Sequence, residues 1–132
     1  MNFYSDKQLY KIIESNRRLF LQKDLFDLLQ WIEHIEHIDT ELNAFSALNK
    51  HLLKNQATAL KIQTIRRKNT LTMSLLCKYE QYIKRDIEYG KDDYDLKKTK
   101  EHEKHRALIK DMDKEFRQLK FTIYQMLSQF KR

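Results

Sequence analysis

The chain has 132 residues, of which 41% are hydrophobic and 34% are charged, and its formal net charge is +7. It contains no proline and one glycine, Gly90. This composition excludes a fold rich in strands and tight turns, because such turns use glycine and proline often. The abundant Leu, Lys, Glu and Gln are good helix formers. We therefore predict an all-α fold, an elongated antiparallel bundle of three to four helices with coiled-coil-like seams, forming one domain over residues 1–132.

The apolar runs are short and the cysteine content is minimal. No apolar run exceeds three residues, so the sequence predicts neither a signal peptide nor a membrane span. The single cysteine, Cys77, has no partner for an internal disulfide, which fits a reducing compartment. We expect a cytoplasmic protein in which Cys77 is a buried packing residue.

The N-terminal part of the chain predicts one or two helices. Ser5 followed by Gln8 is a capping-box pattern, which predicts a first helix over about residues 5–22. Asp24 is a candidate N-cap for a following helix, with Asp27 near the positive end of that helix. A continuous helix through residues 20–25 fits the same sequence, because no glycine or proline interrupts it.

The clearest pattern is a heptad stripe that begins at Leu28 and predicts a long bundle helix with Leu42 and Phe45 in the core. One seam position holds Leu28, Ile35, Leu42 and Asn49, and the other holds Trp31, Ile38, Phe45, Leu52 and Ala59. Asn49 either sets the register of a coiled coil or lies in solvent where the seam is incomplete.

The stripe fades after Ala59, and a new one begins at Leu75. The helix therefore either continues through a stutter or turns near residues 67–70. Gly90 predicts the end of this element, and Asp92 or Asp93 is the expected N-cap of the next.

A last helix is predicted near residues 93–130, with an apolar seam over its second half. The seam consists of Ile109, Met112, Phe116, Leu119, Ile123, Met126 and Phe130. Traced toward the N-terminus, the same seam reaches His102 and His105, in a stretch that is polar on all sides and is expected to be solvated.

Four histidines form two His-x-x-His pairs, His34/His37 and His102/His105. Each pair places two metal-ligand nitrogens on one helix face. The pairs hold different positions relative to the seams, so we expect them not to face one another and predict no metal site. The chain also lacks a nucleophile pattern and a glycine-rich phosphate loop, which predicts no catalytic residues, no cofactor and no enzymatic activity.

The charge is unevenly distributed. Residues 1–60 hold 7 Lys and Arg against 8 Asp and Glu, whereas residues 61–132 hold 19 against 11. Arg66, Arg67 and Lys68 are a candidate polyanion-binding cluster, which makes a basic nucleic-acid-binding helical bundle the alternative function. Ordinary charge scatter over solvated helices explains the same pattern.

The function that these features favour is a non-enzymatic helical interaction or assembly protein, acting through protein–protein contacts with itself or within a larger complex. No small-molecule substrate is implied. The seam of the last helix needs a cover that a short preceding helix does not supply, and apolar surface left open usually marks an association site. The predicted partner-binding residues are Phe116, Leu119, Phe121, Ile123, Tyr124 and Phe130.

Overall fold

The computed structural model describes residues 5–130, and within that range 91% of the residues are helical and none forms a strand. Three long helices pack against one another: α1 (Asp6–Leu48), α2 (Gln56–Tyr89) and α3 (Leu96–Ser128). A π-helical turn, Asn49–Leu53, extends α1. The prediction of an all-α bundle is confirmed, with three helices. No helix among the described residues is both long enough and apolar enough to cross a bilayer.

Contacts along the bundle give the direction of each helix. Arg17 near the start of α1 bonds to Asp86 near the end of α2, and Asn43 near the end of α1 bonds to Arg66 in α2, so these helices are antiparallel. The α2 and α3 helices are joined by a short connection after Gly90 and are also antiparallel. The α1 and α3 helices therefore run in the same direction.

The first helix is continuous from residue 6 to residue 48. The predicted capping box is present, because the Ser5 hydroxyl accepts from the Gln8 backbone N–H and the Gln8 side chain accepts from the Ser5 backbone N–H. The prediction that Asp24 caps a second helix is wrong. Asp24 lies inside α1, where its carboxylate is buried and accepts a hydrogen bond from Tyr94. The continuous helix was the correct alternative.

The chain turns at Lys54 and Asn55, and α2 runs uninterrupted through residues 67–70. Both interpretations of Asn49 are wrong, because this side chain is 6% exposed and secures the turn. Its Nδ2 donates to the Asn55 carbonyl at 3.0 Å, and its Oδ1 accepts from the Asn55 N–H at 3.1 Å. Lys54 adopts a left-handed conformation with φ of 50°, and Asn55 caps α2 by accepting from the Thr58 N–H.

The buried face of α2 repeats every three or four residues without interruption. It consists of Thr58, Ile62, Ile65, Asn69, Thr72, Leu76, Tyr79 and Ile83. The stripe fades in the sequence because three of these positions are small polar residues. The second half of the stripe runs through Leu76, one residue later than predicted, while Leu75 is exposed.

The seam of α3 is covered along its length by the long α2. Thr58 contacts Met126 near one end, and Tyr79 contacts His102 near the other. The expectation of a solvated N-terminal third is therefore wrong, since His102 and His105 are both buried.

The predicted end of α2 is confirmed, because α2 ends at Tyr89 and Gly90 is its C-cap, in an extended conformation with a φ of −71°. Two further sequence predictions differ from the structure. Asp95 caps α3 in place of Asp92 or Asp93. Cys77 is exposed, because it lies outside the α2 face formed by Leu76 and Tyr79.

Candidate functional site

A buried polar cluster lies at the end of the bundle where α2 connects to α3. Asp24 and Asp27 project from successive turns of α1, His102 comes from α3 and Tyr79 from α2. Tyr94, in the connection between α2 and α3, closes the cluster over Asp24. Each helix contributes a polar side chain here, whereas the core farther along the bundle is largely apolar.

His102 lies at the centre of the cluster and is 3% exposed. Its Nε2 is 2.9 Å from Asp27 Oδ2 and 3.4 Å from Asp24 Oδ1, so it faces both carboxylates. Its Nδ1 is 2.7 Å from the Tyr79 hydroxyl. The Trp31 ring stacks on the imidazole with centroids 4.8 Å apart. These contacts fix the orientation of the ring, and both of its nitrogens have partners.

Burial determines the protonation of the phenols. It raises the pKa of Tyr79 above its ordinary value, and it raises the pKa of Tyr94, with the hydrogen bond to Asp24 adding to the effect. Both phenols therefore stay protonated at neutral pH, and Tyr94 donates its proton to Asp24. His102 lies within hydrogen-bonding distance of the Tyr79 hydroxyl through Nδ1 and of the Asp27 carboxylate through Nε2.

Burial also raises the pKa of the Asp24 carboxyl group, against the opposing influence of the Tyr94 hydrogen bond and of His102. Asp27 is only half-buried and has a second partner, since Arg106 Nη2 lies 3.2 Å from its Oδ2. The Arg106 guanidinium also lies 5.2 Å from the centre of the Trp31 ring. The two carboxylates thus have different surroundings: Asp24 is buried away from solvent, and Asp27 lies at the edge of solvent.

A cavity of about 870 Å³ opens beside the cluster between α2, α3 and their connection. Asp24, Tyr79 and His105 contribute to its wall. His105 stacks on Tyr79 with ring centroids 4.0 Å apart, and its Nδ1 is 2.8 Å from the Glu101 carbonyl. The cavity gives small ions and water a route to the buried carboxylate of Asp24.

The two His-x-x-His pairs are not brought together. His34 Nε2 lies 2.9 Å from Asp113 on α3, and His37 points outward toward Glu41. The potential metal ligands that do meet are Asp24, Asp27 and His102, whose donor atoms all lie within 4.8 Å of one another. Sequence reasoning missed this group because it assigned the two aspartates to the start of a helix. Their spacing of three residues, together with a histidine traced to the seam of α3, was the available signal.

The side chains of the predicted polyanion-binding cluster, Arg66, Arg67 and Lys68, point in three different directions. Arg66 bonds to Asn43 on α1, and Lys68 bonds to Glu115 on α3 at 2.6 Å. Arg67 is exposed to solvent. Successive residues of a helix point about 100° apart, so the three side chains share no single surface.

The six predicted partner-binding residues of α3 divide into two groups. Phe116, Leu119 and Ile123 are buried within this chain, so the prediction that they contact a partner is inconsistent with this fold. The physical reason is the length of α2, whose first half covers them. Phe121, Tyr124 and Phe130 are exposed.

A longer apolar surface runs along α1 on a face that α2 and α3 do not cover; we call it the outer seam. Its positions, spaced by three and four residues, are Leu9, Ile12, Asn16, Leu19, Lys23 and Phe26. The four apolar side chains are between 38% and 63% exposed. Ile13 and Phe20 flank the outer seam and are also exposed.

Comparison of the chain with protein-family models, with curated proteins and with solved structures found no match.

Proposed function

We propose that this chain is a non-enzymatic assembly protein that pairs with a second copy of itself through the outer seam of α1. The observation that carries the proposal is the exposure of four large apolar side chains at helical seam spacing, on a face that the other described residues, within 5–130, leave open. Apolar stripes of this kind usually bind another helix, because isolated surface apolar residues do not recur at regular spacing.

The spacing supports a coiled-coil-like contact. Ile12, Leu19 and Phe26 repeat every seven residues, and Leu9 precedes them by three, which is the pattern of the two core positions of a heptad. The seam covers 18 residues of α1, or about 26 Å along the helix axis. The seam residues from Leu9 to Asn16 precede Arg17, which is the residue of α1 that bonds to the end of α2. A partner helix can therefore approach this part of the outer seam without meeting α2 or α3.

The polar residue in the seam supports a second copy as the occupant. Asn16 lies near the middle of the outer seam and is exposed in this chain. In dimeric coiled coils a single core asparagine bonds to its counterpart and sets the register. Two copies of α1 packed along their outer seams bring their Asn16 amides close together in either relative direction. Lys23 has a long stem that lets its ammonium group reach solvent at the edge of such a contact.

The experiment is sedimentation equilibrium over a range of concentrations, on the wild type and on three single variants. We expect a self-associating wild type and a monomeric Leu19→Lys variant, because the substitution removes an apolar side chain from the middle of the outer seam and places a second positive charge one helical turn from Lys23. Leu71→Lys is the matched control, since Leu71 is a comparably exposed leucine on α2. It should associate like the wild type.

The third variant, Phe121→Lys, tests the exposed surface of α3. Loss of association in this variant with retention in Leu19→Lys would move the contact from α1 to α3 and contradict the proposal. A wild type that stays monomeric at high micromolar concentration would also contradict it.

A further inference from the structure

We propose that Asp24, Asp27 and His102 form a binding site for a divalent transition-metal ion, with Zn²⁺ as the ion that the donor set fits best. One imidazole nitrogen and two carboxylate oxygens are donors that zinc accepts in proteins, with bonds of about 2.0–2.2 Å. Mg²⁺ and Ca²⁺ prefer sites built from oxygen alone, so the histidine favours a transition metal.

The arrangement of the donor atoms suits tetrahedral coordination. With bonds near 2.05 Å, the donors of a tetrahedral zinc site lie about 3.3 Å apart. His102 Nε2 is 2.9 Å from Asp27 Oδ2 and 3.4 Å from Asp24 Oδ1, close to that separation. All three donor atoms lie within 4.8 Å of one another, so an ion between them has three protein ligands and a fourth position left for water.

The surrounding residues already hold the donors in place, as partners of metal ligands do. Tyr79 contacts the Nδ1 of His102, so Nε2 is the nitrogen that faces the carboxylates. With Nε2 bound to the ion, the neutral ring carries its proton on Nδ1, and this N–H donates a hydrogen bond to the Tyr79 oxygen. Tyr94 bonds to Oδ2 of Asp24 and leaves Oδ1 directed at His102.

The charge balance and the access to the site are also favourable. Two carboxylates neutralise a divalent ion, and burial in a site of low dielectric strengthens that attraction. Arg106 and His102 both contact Asp27 Oδ2, and the hydrogen bond from Arg106 to this oxygen must break when the ion binds. Its side chain is one-third exposed and can turn to solvent. The cavity between α2 and α3 reaches Asp24 and supplies the entry path.

The test is a calorimetric titration of the metal-free protein with Zn²⁺. We expect one ion per chain. The Asp27→Asn and His102→Gln variants should bind at least about 100-fold more weakly, and Tyr79→Phe about 10- to 100-fold more weakly, because it removes only a partner of the ligand. The matched control is the double variant His34→Gln with His37→Gln, which removes surface histidines and should retain wild-type affinity.

A second measurement needs no variant. Zn²⁺ added to the folded wild type should shift the Nε2 resonance of His102 in a ¹⁵N spectrum, and Co²⁺ should give the visible absorption of a tetrahedral complex. The proposal is overturned if the wild type binds no Zn²⁺, if the His102 resonance does not move, or if binding is lost in the His34/His37 double variant and kept in Asp27→Asn. None of these outcomes depends on whether the chain self-associates.

Discussion

Asn49 offers the sharpest test of how the chain folds back on itself, and we predict that Asn49→Ala destabilises the protein substantially. The amide of this side chain bonds to both the N–H and the carbonyl of Asn55, and these bonds secure the turn between α1 and α2. The turn also requires Lys54 in a left-handed conformation, which costs free energy for a residue with a side chain.

The magnitude follows from the two hydrogen bonds. Each contributes about 0.5–1.5 kcal/mol net, and removing one partner leaves the polar groups of Asn55 short of a partner in a half-buried site. We expect Asn49→Ala to lower the free energy of unfolding by about 2–3 kcal/mol. For a chain of this size that corresponds to a fall in Tm of about 6–15 °C.

The assay is urea unfolding followed by circular dichroism, with Asn43→Ala as the matched control. Asn43 is exposed and bonds to Arg66 at the surface, so its loss should change stability by no more than about 0.5 kcal/mol. Equal and small effects of the two substitutions would refute the role given to Asn49. A destabilisation that depended on protein concentration would instead indicate that Asn49 acts between chains.

Three further predictions follow from the packing and the charges. Phe45 is buried and stacks on Phe116 with ring centroids 6.0 Å apart, so Phe45→Ala should lower the free energy of unfolding in urea by about 3–4 kcal/mol. Truncation of the exposed Tyr89 to alanine should lower it by less than ~0.5 kcal/mol, and equal effects of the two substitutions would contradict the packing. Hydrogen bonding to Arg17, and then to Arg18, lowers the pKa of Glu14 to about 2. The carboxylate of Glu14 therefore stabilises the fold above its ordinary pKa of 4.5, and the difference in unfolding free energy between the wild type and Glu14→Gln should shrink as the pH falls from 4.5 to 2; a pH-independent difference would contradict this. If nucleic acid is a partner, replacing Arg66, Arg67 and Lys68 with glutamine should weaken its binding and flatten the salt dependence, and a wild type that retains no DNA or RNA at low salt would exclude that partner.

The class of fold was predictable, because composition alone argues against strands and the strongest stripes mark long helices. The position of the first turn was not predictable. Its determinants are a lysine in a left-handed conformation and an asparagine bonding to the backbone six residues away, and neither has a strong local signal. The true continuity of α2 was hidden by Thr58, Asn69 and Thr72, which are buried as polar side chains. Asn69 is tolerated there because it donates to the Ile35 carbonyl at 3.0 Å.

The buried cluster shows a different limit of sequence reasoning. Asp24 and Asp27 resemble the acidic residues that begin a helix, and only the packing of α3 alongside α1 gives them a histidine as a partner. The excess of acidic residues in the same stretch also has an internal explanation. Arg106 pairs with Asp27 and Lys120 with Glu41, so part of the charge asymmetry is satisfied between the parallel helices α1 and α3.

The measurement that tests the proposed assembly most directly is the distance between two copies of α1. A single spin label attached at Ser15→Cys, beside the outer seam, with Cys77→Ser to remove the native thiol, reports the separation of the two α1 helices by dipolar spectroscopy. Paired helices have axes about 8–10 Å apart, so we predict a short, well-defined distance between labels at residue 15 and a clearly longer one for labels at the exposed Leu71 on α2. Labels at residue 15 that show no dipolar coupling between chains, at a concentration where the protein is fully associated, would contradict the account.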